Sequence, residues 1–272
     1  MMERRIGLIG AGEMGSGIGG LLVSNGLEVW TSLGGRSAAS AERIRRAGVT
    51  VVDGMPAIAG SCAIVLSIVP PDRAMLVAEE FAAAYRRAAE PALYVDCNAI
   101  APVTARAIAS VITAAGARFL DAGIIGSSPR DGYDGPKVYA SGPDVAEFAR
   151  LTAHGLQVRP LEGGIGVASS LKMCYGGLTK GITSIGTAMR ACAEHNGVAE
   201  LLATEFSESQ PALNAWLNRQ IPTMYPKAYR WVAEMQEIAT FGEAEPGVAA
   251  MYRGISDLYA AIADTMTAKG SV

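Results

Sequence analysis

The sequence predicts an α/β fold, a doubly wound and mainly parallel sheet followed by a smaller all-α domain, on three observations. An apolar strand, Ile6–Ile9, runs straight into Gly10-Ala11-Gly12-Glu13-Met14-Gly15. Strand and helix patterns then alternate as far as Leu161. From Ile165 onward strand signals stop and helical periodicity takes over.

The elements follow in order. Gly10 allows the tight turn out of the first strand, Gly12 lets the backbone approach a pyrophosphate, and Gly15 lets the next helix lie close to the sheet. That helix turns its positive end and unpaired N–H groups toward the phosphates. Ile18, Leu21 and Leu22 give it an apolar face, and Leu27–Trp30 reads as a second strand. Val49–Val52 and Ala63–Ile68 read as strands, the latter an unbroken apolar run of the kind buried on both faces of a parallel sheet. Arg73–Ala89 reads as a helix. Leu93–Asp96, Arg118–Asp121, Lys137–Ala140 and Gln157–Arg159 are further short strands, with helices near Val103–Ala114 and Asp144–Ala153. The pattern is that of a Rossmann-type dinucleotide-binding domain over residues 1–162. Residues 163–272 read as a smaller all-helical domain. Its first helix runs from about Gly166 to Asn196, with Asn196-Gly197 as the stop. Three or four helices follow, punctuated by Pro211, Pro222, Pro226 and Pro246.

Composition narrows the function classes. The chain has 272 residues, half of them hydrophobic, and a formal charge of −3. No basic footprint for a nucleic-acid backbone is present. The first strand begins within five residues of Met1, which leaves no room for a signal peptide, and no apolar run is long and uncharged enough to span a bilayer. Cys62, Cys97, Cys174 and Cys192 are scattered without a C-x-x-C pair or a His/Cys cluster, so neither a disulfide scaffold nor a metal site is expected. A reducing cytoplasm is the simplest location. His154 and His195 lie at helix ends without metal-ligand partners. Arg219, Lys227 and Arg230, with Glu234 and Glu237 beyond them, read as a solvated face of the helical domain.

The end of the second strand chooses between dinucleotides. NAD sites place a carboxylate there for the adenosine ribose hydroxyls. Here the stretch is Trp30-Thr31-Ser32-Leu33-Gly34-Gly35-Arg36-Ser37, and Glu28 lies too early to serve. Arg36, flanked by Ser32 and Ser37, suits a 2′-phosphate that a carboxylate would repel, so NADP is expected rather than NAD.

The long helix carries the second informative pattern. Lys172, Tyr175, Gly176, Thr179 and Thr183 fall on one stripe at 3.6 residues per turn. Gly176, Gly177, Gly181 and Gly186 lie inside the same helix, where each glycine costs up to about 1 kcal/mol relative to alanine. Close approach of a ligand or of another helix would account for them.

These segments together resemble the β-hydroxyacid dehydrogenase superfamily, which includes 6-phosphogluconate and 3-hydroxyisobutyrate dehydrogenases. Gly7-Leu8-Ile9-Gly10-Ala11-Gly12-Glu13-Met14-Gly15 resembles the family's cofactor signature, and the segment from Gly164 to Lys172 resembles its catalytic helix. Asp96-Cys97-Asn98-Ala99-Ile100-Ala101-Pro102 resembles the family's D-x-S-T-x-x-P stretch, and Asp121–Ser127 its D-A-P-V-S-G-G substrate loop. The resemblance implies Lys172 as the catalytic group with Tyr175 one turn on, and a nicotinamide beside Ile68, Val69, Pro70 and Asn98. It also implies a substrate held by Asn98, Gly126, Ser127, Ser128 and Thr179, and a homodimer whose helical domain lends Arg230 as a substrate contact, which assigns substrate binding and dimerisation to residues 163–272. Three departures stand out: Asn98 replaces a serine, Ile125-Gly126-Ser127 replaces Ser-Gly-Gly, and Tyr175-Gly176 replaces the polar pair that follows the lysine.

The expected function is therefore NADP-dependent hydride transfer to or from a small hydroxy acid or keto acid, with Lys172 as general acid/base. NADPH-dependent imine reduction and non-catalytic NADPH binding are the alternatives. Retention of Lys172 argues against the first, because relatives that reduce imines usually replace it.

Overall fold

The computed structural model describes residues 5–85, 91–130 and 132–268. Within them β1 (Arg5–Ile9), α1 (Glu13–Ser24) and β2 (Glu28–Thr31) form the opening unit, followed by α2 (Ala38–Arg46), β3 (Thr50–Val51), α3 (Gly54–Ser61) and β4 (Ile64–Ser67). A short 3₁₀ turn, Pro71–Arg73, leads into α4 (Ala74–Ala84). The expected helix from Arg73 thus begins one residue late, and its end at 86–89 lies outside the described residues. Next come β5 (Leu93–Asp96), α5 (Pro102–Ala114), β6 (Arg118–Ile125), β7 (Lys137–Ser141), α6 (Val145–Ala149) and β8 (Gln157–Pro160). The helical part comprises α7 (Val167–His195), α8 (Ala199–Ser209), α9 (Pro211–Met224), α10 (Ala228–Phe241) and α11 (Val248–Ala268).

The eight strands form one sheet in the order β3-β2-β1-β4-β5-β6-β7-β8. All neighbours are parallel except β6 and β7. Alternation along the strands separates two cores. Ile6, Leu8, Val95, Leu120 and Ala122 pack with Ile18 and Leu22 of α1, Ile44 of α2 and Phe148 of α6. Ile9, Val65, Tyr94 and Phe119 face the other way, against Ile58 of α3, Phe81 of α4 and Ile108 of α5. β6 is longer than the sequence suggests. It continues through Asp121 to Ile125 because β7 pairs with its second half, Asp121 opposite Ser141 and Ile125 opposite Lys137. The segment expected as a substrate loop is therefore strand as far as Ile125, and the loop starts at Gly126.

The chain forms two compact units, Met1–Lys172 and Met173–Val272, which divide inside α7. Composition changes earlier, near residue 162, because it registers where strands end, whereas contacts register which turns of α7 are tied to the sheet. α7 stops at His195 as expected, with Gly197 at φ 68° and Asn196 Nδ2 donating to the Cys192 carbonyl at 2.8 Å.

In the second unit, the interior glycines of α7 answer to helix packing. A Cβ on Gly176 would lie 2.9 Å from the Glu234 carboxylate, one on Gly177 2.8 Å from the Tyr252 hydroxyl, and one on Gly186 2.6 Å from Leu217. Glu234 is not on a solvated face. It is 7% exposed and ion-paired with Lys180, whose ammonium also lies 5.2 Å from the Trp231 ring centroid. The Tyr259 hydroxyl donates to the Lys180 carbonyl at 2.6 Å. Pro222 does not punctuate, since it lies inside α9 two residues before the end. Among the described residues no helix is long and apolar enough to cross a membrane.

Candidate active site

The glycine loop is built by three different constraints. Gly10 sits at φ 132°, and a Cβ there would lie 2.1 Å from the Ile68 carbonyl oxygen. A Cβ on Gly15 would lie 2.1 Å from the Gly10 carbonyl oxygen, so this glycine serves the packing of α1 onto the strand end. Gly12, the N-cap of α1, has nothing within 4 Å of an added Cβ. It leaves open space at the positive end of a twelve-residue helix, which fits a dinucleotide pyrophosphate. Glu13 is exposed as the first helical residue, and Met14 packs on the core.

Beside this loop β4 ends at Ser67, and the Ile68 N–H donates to the Ile9 carbonyl at 2.8 Å. The Ile68-Val69-Pro70 turn is clamped by Asn98. Its Oδ1 accepts from the Val69 N–H at 2.7 Å, and its Nδ2 donates to Asp96 Oδ2 at 3.0 Å and Ser67 Oγ at 3.2 Å. Asn98 is 2% exposed and both amide hydrogens are engaged, so it holds the shape of this turn. Burial pushes the neighbouring Cys97 thiol well above its ordinary 9.0, with Asp96 and Asp121 adding to the effect.

The end of β2 and the β2–α2 connection hold the residues expected to choose the dinucleotide. Glu28 accepts from Trp30 Nε1 at 2.6 Å and Arg5 Nε at 3.2 Å, at the start of β2 and away from the glycine loop. The Trp30 hydrogen bond, with Arg5, holds its carboxyl below the ordinary carboxylate value. Arg36 is exposed in the β2–α2 connection, Ser32 is half-buried, and Ser37 caps α2 by accepting from the Ser40 N–H.

The start of α7 is fixed by a carboxylate on β6. Asp121 Oδ2 accepts from the Gly166 N–H at 2.8 Å and the Ser169 N–H at 3.1 Å, and Oδ1 accepts from Ser169 Oγ at 2.6 Å. Ser141 Oγ joins Asp121 at 3.3 Å and accepts from the Ala168 N–H at 3.0 Å. Asp121 is 1% exposed and Ser169 fully buried, so the first-turn amides of α7 are satisfied by the sheet. Two residues along β6, a Cβ on Gly123 would stand 2.9 Å from Lys172 Cβ and 3.1 Å from the Ala168 carbonyl oxygen. Glycine is what lets α7 come this close. Lys172 is half-buried, and its Nζ donates to the Ile124 carbonyl at 2.9 Å.

The loop after β6 divides its residues. Gly126 and Ser127 are exposed just beyond the Lys172-bound carbonyl. A Cβ on Gly126 would meet the Tyr133 hydroxyl at 2.5 Å. Ser128, expected to face a substrate, donates to the Glu13 carbonyl at 2.8 Å and so ties the loop to the start of α1. In the second unit Tyr175 is 46% exposed, Thr179 donates to the Tyr175 carbonyl at 2.9 Å, and Arg230 is exposed on α10. Asp121, Ser141, Ser169 and Gly123 escaped sequence reasoning as a group. The available signal was a carboxylate flanked by apolar residues where a strand should remain hydrophobic.

Comparison with known proteins agrees with this architecture. Residues 5–152 match the NAD binding domain of 6-phosphogluconate dehydrogenase, and residues 193–262 match a domain of unknown function. A solved structure of the conserved protein MTH1747, described as similar to 3-hydroxyacid dehydrogenases, is 31% identical, covers 97% of this chain and 98% of its own, and superposes with a TM-score of 0.69. An uncharacterized 28.5 kDa protein of Methanothermus fervidus is 27% identical over 206 residues, 76% of this chain and 77% of its own. Mycobacterium tuberculosis 3-hydroxyisobutyrate dehydrogenase, solved with L-serine, shares the fold at 19% identity and a TM-score of 0.71, over 97% and 94% of the two chains. A sheet domain built around the glycine loop, followed by a helical domain entered through the lysine helix, places this chain in the β-hydroxyacid dehydrogenase superfamily, with an NAD(P)-binding domain of the 6-phosphogluconate dehydrogenase type.

Proposed function

We propose that the chain is an NADP-dependent oxidoreductase that moves a hydride to or from a small hydroxy acid or its keto form, with Lys172 as general acid/base. The observation that carries this reading is Lys172 itself. It is a half-buried ammonium held 2.9 Å from the Ile124 carbonyl, where β6 gives way to the exposed Gly126-Ser127 loop.

In this reading Gly10, Gly12, Glu13, Met14 and Gly15 hold the pyrophosphate. Arg36, with Ser32 and Ser37, takes the 2′-phosphate. Ile68, Val69 and Pro70 border the nicotinamide, and Asn98 fixes their turn. The nicotinamide, when bound, supplies the hydride chemistry. The remaining work belongs to the chain. Lys172 gives a proton to the substrate oxygen in the reducing direction and removes it in the oxidising direction, and its charge stabilises the developing alkoxide. The Ile124 carbonyl orients the ammonium. Tyr175 shares the proton relay or positions the substrate, while Ser127, Thr179 and Arg230 meet its polar end. A homodimer through the helical unit is part of the proposal. It is supported by the exposed stripe Leu178, Ile182, Ile185 and Met189 on α7 and by an apolar groove of about 630 Å³ lined by residues of α7, α8 and α9.

The test is a thermal-shift and fluorescence titration with NADPH and NADH, then turnover on hydroxy acids, keto acids and cyclic imines. Lys172→Ala is expected to keep NADPH binding and lose roughly 10²–10⁴-fold in turnover. Near-wild-type turnover by that variant would remove Lys172 from the mechanism. Reduction of imines alone would select the imine reductase reading. NADPH binding without turnover on any of the three classes would select the non-catalytic one.

A further inference from the structure

α2 ends in three arginines, and they are not equivalent. Arg46 Nε donates to Glu42 at 2.7 Å, and Arg45 pairs with the other oxygen of the same carboxylate, so one acid answers both. Arg43 is engaged differently. Its Nη2 donates to Ser40 Oγ at 3.0 Å, and Ser40 Oγ stands 3.2 Å from Ser37 Oγ, which also accepts from the Ser40 N–H at 3.3 Å. The side chain leans toward the start of its own helix, as helical side chains do. A chain of short contacts, Arg43 to Ser40 to Ser37, therefore carries its guanidinium to the residue beside Arg36. Residues 32–41 contain two hydroxyls at that cap, a further serine at 32, Arg36, and no carboxylate. Arg36 and Arg43 are both exposed.

A phosphate monoester carries a charge of about −1.5 to −2 at neutral pH, more than one guanidinium neutralises. We infer that Arg43 is the second cation of the 2′-phosphate site, acting with Arg36 and oriented by Ser40. This assignment rests on the NADP preference proposed above. It adds a ligand residue to that site from the far side of the first turn of α2, while Arg45 and Arg46 stay occupied with Glu42.

The experiment is a fluorescence titration of the full chain with NADPH and with NADH, for wild type, Arg36→Ala, Arg43→Ala, Arg43→Lys and Arg45→Ala. Loss of a charge-assisted phosphate contact is expected to weaken NADPH binding by roughly tenfold or more in Arg43→Ala, with NADH binding changed by less than about twofold. Arg43→Lys is expected to recover part of the loss, and Arg45→Ala to match wild type for both dinucleotides. Unchanged NADPH binding in Arg43→Ala alongside a loss in Arg36→Ala would overturn the inference and leave the NADP preference standing. Equal weakening of both dinucleotides in Arg43→Ala would also overturn it, since the effect would then lie in the helix and not at the phosphate. Wild type binding NADH as tightly as NADPH would overturn the preference and the inference together.

Discussion

Replacing Asp121 by alanine removes the carboxylate that receives the Gly166 N–H, the Ser169 N–H, the Ser169 hydroxyl and the Ser141 hydroxyl. The two hydroxyls can rotate toward other acceptors, but the two backbone donors cannot. Each buried donor left unpaired costs about 1–3 kcal/mol, so the expected loss is about 2–6 kcal/mol. That is a large share of the roughly 5–15 kcal/mol that holds a domain folded. Asp121→Asn should lose less, because an amide oxygen in the place of Oδ2 still accepts both N–H groups while the NH₂ meets the Ser169 hydroxyl, which can turn to accept. The assay pairs urea unfolding with amide hydrogen exchange. Besides the drop in unfolding free energy, the Gly166 and Ser169 amides should lose protection ahead of the central strands. Lys172 lies one turn beyond Ser169, so turnover should fall while NADPH affinity stays close to wild type. A loss below about 1 kcal/mol with both amides still protected would refute the reasoning, because α7 would then be anchored by something other than this carboxylate.

Two further outcomes follow from the same geometry. Gly12→Ala and Gly15→Ala should separate binding from folding. The first places its Cβ in open space and should keep the wild-type melting temperature while weakening the dinucleotide. The second drives a Cβ to 2.1 Å from the Gly10 carbonyl oxygen and should lower the melting temperature itself. Lys180→Met should lower stability in chemical denaturation by removing the cation paired with the buried Glu234 carboxylate, and adding Glu234→Leu should return a measurable part of that loss.

The sheet was legible because its rules are local. Glycines after an apolar strand, two-residue alternation and a Gly-terminated long helix are short-range statements, and β1, β2, β4, β5 and α7 follow them closely. Asp121 was not legible, because a carboxylate in mid-strand makes sense only once its partners, more than forty residues later, are in place. A reading from composition ends the strand there instead. The part Asn98 plays in its turn was hidden in the same way, because its amide meets Val69 and Ser67, about thirty positions away, and the nearby Asp96 only once the strands are paired. The glycines of α7 announced a close approach without saying by what, and the answer was Glu234, Tyr252 and Leu217. Pro222 misled because a proline near the end of a helix removes a hydrogen bond without ending the helix.

The contact between the β6–β7 loop and α1 has a consequence for how this chain can vary. A Cβ on Gly17 would stand 2.2 Å from Ser128 Oγ and 2.9 Å from Pro129 Cδ, while Ser128 holds the Glu13 carbonyl. Position 17 and positions 128–129 therefore form one lock. A side chain gained at 17 demands a smaller or displaced residue in the loop, and a loop transplanted from a relative will seat only with the α1 surface that grew up with it. Altering the Gly126-Ser127 segment together with the residues that follow it means redesigning part of α1 at the same time.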